Sequence, residues 1–463
     1  MPQTFTLTKY GWLVCTWVLI ASFQYGYHIS VLNQIQAVLS CRVVDTEGYA
    51  YGLPTCIPMT DAGFSVVTSV YTLGGLLGSL GANRLQDKLG RKGALRISGF
   101  FLAVGSGFMT IAAQYYVLVL GRLLTGVGAG IGLCVGPIFL SEIAPPKIRG
   151  SVGVLTQFAI VIGLMITQAI GLKLAEPKRW RAVLLISCAL SIAQILLSPA
   201  ISETPEWLKQ NKMADLARKA ENRLWKFNKS VAAGTEDAED PLLGSEGQTE
   251  ESEADLRLER EDTVSMRQVF SMSKYRRPLV VVCSAMISQQ VSGVNAVLYY
   301  SNDILGRALP DLGPYVSLGI TVVNVIMTFA PIILIERMGR KQLLSISIGG
   351  ILVSLCLVGV GLNTSTVALS SVAIMTFIMS FAIGLGPVPF VMIPEVSPTE
   401  AVSALSSTAL SLNWVANFFV GLAFLPLRNL LSGGNPDKEG LVFFVFAAFL
   451  TVSAAVLYRA YRP

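Results

Sequence analysis

The chain has 463 residues, of which 52% are hydrophobic and only 14% are charged. A soluble core of this length cannot hide so much apolar sequence, so the composition excludes a soluble enzyme. The formal net charge of +6 lies in short loops between apolar runs rather than on one basic surface, which excludes a nucleic-acid partner and instead indicates membrane topology.

Apolar runs separated by charged or Pro/Gly-containing breaks predict twelve transmembrane helices, because one span uses about 20 mostly apolar residues. The first six fall near 11–32, 62–82, 94–113, 116–140, 150–174 and 180–201. The last six fall near 277–305, 312–335, 342–362, 367–393, 402–430 and 438–459. The first run is long enough to span and has no basic start, so we expect it to be a helix of the mature protein rather than a signal peptide.

A loop at 202–274 separates the sixth and seventh spans. Residues 202–230 have the amphipathic pattern of short helices, whereas the acidic segment near 231–262 has too little apolar surface to order and is predicted to be disordered. Lys and Arg are concentrated in the loops after the second, fourth and eighth spans. This distribution predicts that these loops, the central loop and both termini face the cytoplasm.

Two of the seven cysteines lie outside the apolar runs. Cys41 and Cys56 share the polar loop after the first span. They can form a disulfide if that loop faces an oxidising compartment, and they stay reduced otherwise.

Two motifs occur twice, about 250 residues apart, as internal repeats would. Asp87-Lys-Leu-Gly-Arg-Lys92 returns as Glu336-Arg-Met-Gly-Arg-Lys341, and Glu142-Ile-Ala-Pro returns as Glu395-Val-Ser-Pro. The predicted fold is therefore an all-α membrane protein of two pseudo-symmetric six-helix bundles, at 1–201 and 275–463, joined by the cytoplasmic loop at 202–274. Two such halves around a midplane cavity are typical of an alternating-access transporter.

Uncharged polar side chains inside the spans are the candidates for a binding site, because polar groups are costly in lipid-spanning segments. The densest group lies in the seventh span: Gln289, Gln290, Ser292 and Asn295, followed by Tyr299 and Tyr300. Gln289 and Asn295 would face different directions on a straight helix, which predicts a break at Ser292-Gly293. Amides donate and accept hydrogen bonds without carrying charge, so the group suits a neutral polyhydroxylated ligand such as a sugar.

Other spans add further candidates: Gln157 in the fifth, Asn324 in the eighth, and Asn413, Trp414 and Asn417 in the eleventh. Any one of the amides can instead make an interhelical hydrogen bond worth about 0.6 kcal/mol. The prolines in Gly384-Leu-Gly-Pro-Val-Pro-Phe390 predict that the tenth span kinks or unwinds. Phe390 at the end of this segment either covers one face of a sugar ring or packs in the core.

His28 is the only histidine and lies in the first span. Its ring could carry a proton across the membrane or stay neutral as a hydrogen-bonding spacer, and the sequence leaves both roles open. The chain contains no phosphate-binding loop sequence and no Cys/His cluster, so we expect no ATP-driven pumping, no metal site and no cofactor.

Taken together, these motifs resemble the sugar porter family of the major facilitator superfamily. The resemblance covers nearly the whole chain outside 231–262 and rests on Gln289-Gln-Val-Ser-Gly-Val-Asn295, Glu142-Ile-Ala-Pro-Pro-Lys-Ile-Arg-Gly150, Gly121-Arg122, Glu336-Arg-Met-Gly-Arg-Lys341 and Asn413-Trp-Val-Ala-Asn417. Gln24-Tyr-Gly-Tyr27 and the break at 384–389 resemble the animal glucose and fructose facilitators and their fungal relatives.

The resemblance implies alternating-access transport of a monosaccharide, with a hexose such as glucose as the first expectation, by a monomer in the lipid bilayer. It implies a substrate site lined by Gln157, Gln289, Gln290, Asn295, Asn324, Trp414 and Asn417, to which the break adds Phe390. It also implies a cytoplasmic ion-pair gate made by Arg91, Arg122, Glu142 and Arg149 in the first half and by Glu336, Arg340 and Glu395 in the second.

The chain departs from the family pattern at positions that leave alternatives open. His28 stands where proton-coupled members carry Asp and facilitators carry Asn, so uniport and proton symport both remain. Val402 replaces an arginine after the tenth span, which predicts a weaker cytoplasmic latch in the second half. A transporter-like sugar sensor is a further alternative. We expect the plasma membrane, with a vacuolar or endosomal membrane as the alternative because Leu242-Leu243 could be a sorting signal.

Overall fold

A computed structural model describes residues 5–41, 48–227, 264–295, 313–433, 435 and 438–461, and these ranges are almost entirely helical. In the first half the long helices are α1 (Lys9–Leu39), α2 (Asp61–Ile111), α3 (Tyr115–Ile143), α4 (Arg149–Leu174) and α5 (Trp180–Leu197). A short hairpin of β2 (Tyr49–Ala50) and β3 (Leu53–Pro54) follows α1, and a disulfide joins Cys41 to Cys56 beside it.

The long helix α2 contains both the second and the third predicted spans. Its backbone leaves the helical conformation at Gly90, where φ is 76°. Gly339 holds the equivalent place in the second copy of the motif and has a φ of 82°. This left-handed conformation favours glycine because a side chain would clash there. The same turn in both motif copies supports the internal repeat.

The central loop is partly helical, as the amphipathic pattern of residues 202–230 predicts. α6 (Pro205–Gln210) and α7 (Ala214–Leu224) are followed by β4 (Trp225–Phe227), which pairs antiparallel with the N-terminal strand β1 (Phe5–Leu7). The acidic segment at 231–262 lies outside the described residues. The chain is described again from residue 264, where α8 (Met266–Ser271) precedes the second half.

The second half contains α9 (Arg276–Val291), α10 (Gly313–Met338), α11 (Arg340–Asn363), α12 (Val367–Ile383), α13 (Val388–Val396), α14 (Val402–Ser432) and α15 (Leu441–Ala460). Both predicted interruptions are present. α9 ends before the turn at Gly293, whose φ is 80°, and the tenth predicted span is split between α12 and α13. The remainder of the seventh predicted span, with Tyr299 and Tyr300, lies outside the described residues.

Eight helices among the described residues are long and apolar enough to cross a membrane. One apolar cluster joins the two halves, in which Tyr25 and Tyr71 of the first half pack with Leu405, Leu410 and Trp414 of α14. This shared core places the polar side chains of α9 and α14 at the junction of the halves.

Candidate functional site

Five amide side chains form one hydrogen-bonded network at the junction between the halves. Asn295 Nδ2 donates to Gln290 Oε1 at 2.8 Å and to Asn417 Oδ1 at 2.7 Å. Gln290 Nε2 donates to Asn413 Oδ1 at 3.2 Å, and Asn413 Nδ2 donates to Gln289 Oε1 at 3.0 Å. All five side chains belong to residues that are only 4–8% exposed. We call Gln289, Gln290, Asn295, Asn413 and Asn417 the amide cluster.

The local backbone explains how residues so far apart in the seventh span meet. α9 ends at Val291, and the Ser292 hydroxyl donates back to the Gln289 carbonyl at 2.6 Å, which closes the last turn. Gly293 then turns the chain through its positive φ, so that Asn295 points back toward Gln290. Asn413 and Asn417 are one helical turn apart on α14 and therefore face the same way.

The amide cluster also contacts the interruption between α12 and α13. Gln289 Nε2 donates to the carbonyl oxygens of Leu385 at 3.2 Å and Gly386 at 3.0 Å. Pro389 has no N–H, so it cannot donate to the Leu385 carbonyl four residues earlier as a helical residue would. The Gln289 amide satisfies this carbonyl instead, which couples the two interrupted spans directly.

The first half approaches the same interruption through α4. A Cβ placed on Gly386 would lie 3.4 Å from Gln157 Nε2, so the Gln157 amide sits directly beside this glycine. Gly153, one turn earlier, packs against Val391 of α13. Gln157 and Gln289 therefore reach Gly386 from opposite halves of the molecule.

Trp414 and Phe390 lie in the apolar cluster that adjoins the amides. The Trp414 ring packs edge-on against Tyr25 at 5.6 Å and Tyr71 at 5.8 Å between ring centroids. Its Nε1 is buried and has no hydrogen-bond partner among the described residues. Asn324 is buried on α10 with an unpartnered Oδ1, and the hydrogen bonds of the described residues do not connect it to the amide cluster.

His28 belongs to a separate network inside the first half. Gln24 Nε2 donates to the Ser187 carbonyl at 3.0 Å, so Gln24 Oε1 is the acceptor for the Ser187 hydroxyl at 2.7 Å. Because Ser187 uses its only hydroxyl proton on Gln24, His28 Nε2 must donate in the 2.7 Å contact with Ser187 Oγ. His28 Nδ1 is buried and has no hydrogen-bond partner among the described residues. We therefore assign a neutral, Nε2-protonated ring.

The prediction that Arg122 belongs to the cytoplasmic gate is wrong. Its guanidinium donates to the His28 carbonyl at 2.9 Å and lies 4.5 Å from the centroid of the Tyr71 ring. Arg122 and Glu142 stand twenty residues apart on the continuous helix α3, which separates them by about 30 Å along its axis. Arg122 therefore lies near the opposite end of this helix from the gate.

The gate residues of the first half form a compact cluster. Arg91 Nε and Nη2 donate to Glu142 Oε1 at 3.0 and 2.8 Å, and the two side chains are 3% and 9% exposed. Glu203 Oε1 accepts from the backbone N–H groups of Arg91 and Lys92, both at 3.1 Å. Burial raises the pKa of Glu203, although the hydrogen bonds from backbone N–H groups oppose this shift. We call Arg91, Glu142 and Glu203 the first motif cluster. The gate prediction missed Glu203, although it lies in the Ser202-Glu-Thr-Pro-Glu206 segment of the sequence.

The gate residues of the second half make a more open cluster that extends to the first half. Arg340 Nε donates to Glu395 Oε2 at 2.9 Å, and both side chains are 22% exposed. Glu336 Oε1 accepts from the backbone N–H of Ser151 at 3.0 Å, at the start of α4. Glu336 and Arg340 lie directly over Gly150, where a side chain would clash with them. We call Glu336, Arg340 and Glu395 the second motif cluster.

Arg149 precedes this contact but makes no hydrogen bond to the gate carboxylates among the described residues. Its charge acts on Glu206. Burial raises the pKa of Glu206 and nearby Glu142 adds to the shift, while Lys209, Arg149 and Arg91 oppose it. Arg149 therefore belongs to the electrostatic surroundings of the first motif cluster.

The family profile described as "Sugar (and other) transporter" matches residues 14–461. A "probable metabolite transport protein" of Saccharomyces cerevisiae is 31% identical over 95% of this chain and 90% of its own length. The solute carrier family 2 facilitated glucose transporter member 3 of Ovis aries is 32% identical over 94% of this chain and 86% of its own length.

Among solved structures, the proton:xylose symporter XylE bound to 6-bromo-6-deoxy-D-glucose has a TM-score of 0.77 to this chain. The sequence identity is 17%, and the match covers 97% of this chain and 95% of that one. This likeness shows the fold.

Proposed function

We propose a substrate and a mechanism on the premise that this chain belongs to the sugar transporter family. Its fold is that of the major facilitator superfamily, for which twelve transmembrane helices are the expected count, and it is an integral multi-pass membrane protein. The chain is a transporter rather than an enzyme. We place its two bundles at 1–201 and 275–463 and the connecting loop at 202–274.

The amide cluster is our proposed monosaccharide site, and one observation carries this proposal. Uncharged amides from α9 and α14 meet between two interrupted spans, while Gln157 faces them from the other half. Amide groups match the paired donor and acceptor capacity of sugar hydroxyls, and they add no charge that would retain an ion. We assign substrate contacts to Gln157, Gln289, Gln290, Asn295, Asn324, Phe390, Trp414 and Asn417.

Alternating access follows from where this site lies. A ligand held by residues of both halves can be exposed to one side or the other as the halves rock around it. The ligand shifts the equilibrium between these states only by binding them unequally. The interruptions at Gly293 and at Gly384–Pro387 give the site backbone that can adjust, because neither segment is held in a continuous helix.

We propose a hexose as the substrate, with glucose first, because the Ovis aries relative is named as a facilitated glucose transporter. Uptake of radiolabelled glucose into proteoliposomes, with competition by other hexoses and polyols, tests this assignment. Saturable uptake that unlabelled hexoses inhibit is expected. Absence of saturable uptake for every monosaccharide would overturn the substrate class, whereas binding without uptake would favour a transporter-like sensor.

Uniport is the mode of transport that the surroundings of His28 favour. The ring is neutral and committed to Ser187, and charging it would add a second N–H at a buried position beside the Arg122 guanidinium. Proton symport through His28 is the second candidate, because XylE, which shares the fold, is named as a proton:xylose symporter. Uptake driven by an imposed pH gradient separates the two modes.

We further propose that both termini are cytoplasmic, that the protein resides in the plasma membrane, and that it works as a monomer. The orientation rests on the basic loops that hold the two motif clusters. A vacuolar or endosomal membrane is the alternative, and microscopy of the tagged chain in its host distinguishes these locations.

A further inference from the structure

A buried seam between α2 and α14 leads from the amide cluster toward the cytoplasmic end of the molecule. On α2 its face is formed by Gly75, Ser79, Ala82 and Gln86, whose spacing of four, three and four residues keeps them on one side of the helix. The matching face of α14 is formed by Ser407, Ser411 and Trp414, spaced by four and three residues.

Direct contacts fix the register of these two faces. At one end, a Cβ on Gly75 would lie 2.5 Å from the Trp414 ring. In the middle, both helices bond to α3: Ser79 Oγ of α2 donates to the Gly130 carbonyl at 3.5 Å, and Ser406 Oγ of α14 donates to the Cys134 carbonyl, one turn further along, at 3.2 Å. Ala82 packs in the same apolar cluster as Ala401 and Ala404. The seam therefore runs about 16 Å from Gly75 to Gln86, at 1.5 Å per residue.

The seam combines small residues with several buried polar atoms that make no hydrogen bond among the described residues. Gln86 is fully buried, and neither its Oε1 nor its Nε2 has a hydrogen-bond partner among the described residues. The hydroxyls of Ser407 and Ser411 and the Trp414 indole N–H are likewise buried and unpartnered there. Buried polar groups in native proteins nearly always have partners, so a row of exceptions on one interface calls for an explanation.

We propose that this seam, once the halves separate on the cytoplasmic side, is the wall along which the sugar leaves the amide cluster. In the closed seam these polar atoms lack hydrogen-bond partners among the described residues. In the open seam they bind water and the hydroxyls of a neutral polyhydroxylated solute as it passes from Trp414 toward Gln86. The proposal rests on the proposed function, and it adds Gln86, Ser407 and Ser411 as positioning residues of the exit path.

The test pairs transport with a reporter that the chain already contains. Cys134 is fully buried in the closed seam, so a maleimide reaches it only when the seam opens. The variant S407A/S411A keeps the shape of the seam and removes two of the unpartnered hydroxyls. We expect its turnover to fall about fivefold for each hydroxyl lost, since each hydroxyl then fails to bind in the open state. Maleimide labelling of Cys134, located by mass spectrometry, should fall in parallel, while the apparent affinity for external sugar stays within about twofold of wild type, because the amide cluster is untouched.

The matched control is Thr167→Val. Thr167 also has a buried, unpartnered hydroxyl, but it lies on α4 one turn beyond Gly163, which packs on α1 inside the first half. This variant should keep both wild-type turnover and wild-type labelling of Cys134. A second seam variant, Gln86→Met, of similar size, should behave like S407A/S411A, and thermal melting of all variants identifies any that fail to fold.

The outcomes separate this proposal from the one on which it rests. If S407A/S411A and Gln86→Met transport and label as Thr167→Val does, the exit path is wrong even though the wild type carries hexose. If the wild type carries no hexose, the proposed function is wrong. In that case unchanged labelling of Cys134 in the seam variants would still overturn the opening of this seam.

Discussion

The two halves repeat the same motifs, yet they use them differently. In the first motif cluster the Arg91 and Glu142 side chains are almost fully buried, and its bonds reach no further than Glu203 at the start of the connecting loop. In the second half the motif cluster is partly exposed and reaches across to Ser151, while two spans are interrupted around the amide cluster. The comparison indicates that the first half is the more rigid of the two. The second half contains the interrupted helices around the amide cluster and the contact that links the halves.

The largest expected effect of this difference is on stability. Arg91→Ala would leave Glu142 and Glu203 buried without their cation, a loss of about 3–5 kcal/mol for one partner of a buried pair. Arg340→Ala is the matched variant, and its loss should stay near 1 kcal/mol because Glu395 remains partly exposed to water. Thermal unfolding of both variants in the same detergent measures the contrast, and equal losses would show that the two halves are equally rigid.

The second expected effect is on sugar affinity and concerns the amide cluster. Asn295→Ala removes the donor shared by Gln290 and Asn417, so apparent affinity should fall by about 1–3 kcal/mol, roughly 10- to 100-fold. Gln194→Ala removes a buried amide of α5, whose Nε2 donates to the Trp17 carbonyl within the first half, and serves as the control, with affinity expected to be unchanged. Concentration-dependent glucose uptake gives both values. A loss in the control as large as that in Asn295→Ala would mean that any buried amide matters and that the cluster is not the site.

The third expected effect is on the balance between inward-open and outward-open states. Glu336→Gln weakens the contact with the Ser151 N–H across the halves by about 1 kcal/mol, a shift of about fivefold, because the carboxylate is partly exposed. Glu395→Gln alters a bond made within the second half and should shift the balance less. Cysteine accessibility from the cytoplasmic side measures the balance. A larger shift in Glu395→Gln would contradict the assigned link.

The smallest expected effect is that of His28→Asn on accumulation. Because His28 is neutral and bound within the first half, neither wild type nor variant should concentrate glucose when a pH gradient is imposed. Steady-state internal glucose in proteoliposomes measures this. Accumulation by the wild type that the variant loses would establish proton coupling through His28.

Both helix interruptions of the second half could be predicted, because the residues there do not fit a continuous helix. Gln289 and Asn295 are six positions apart, so a shared site required a broken helix, and two prolines required another interruption after Gly384. The structure has both, and it brings four of the eight proposed contact residues into one network. Gln157 joins them only through packing beside Gly386, and Asn324 stays outside the network.

The features that sequence reasoning missed are tertiary. Arg122 belongs to a motif that resembles the family pattern, but a motif does not show how deep in the membrane its residues lie. Only the course of α3 places Arg122 away from the gate. The sequence shows that Pro389 cannot donate a hydrogen bond to the Leu385 carbonyl. It does not show that Gln289, on another helix, donates to that carbonyl instead. The pairing of Glu336 with Ser151 likewise depends on how the halves pack. The weaker latch expected from Val402 stays a prediction.

The central claim is that the amide cluster holds the sugar, and a structure determined with bound glucose tests it most directly. The account predicts glucose hydroxyls at about 3 Å from the side chains of Gln289, Gln290 and Asn295, with Gln157 contributing from the opposite half. Glucose bound elsewhere, with the hydrogen bonds within the amide cluster unchanged, would contradict the account.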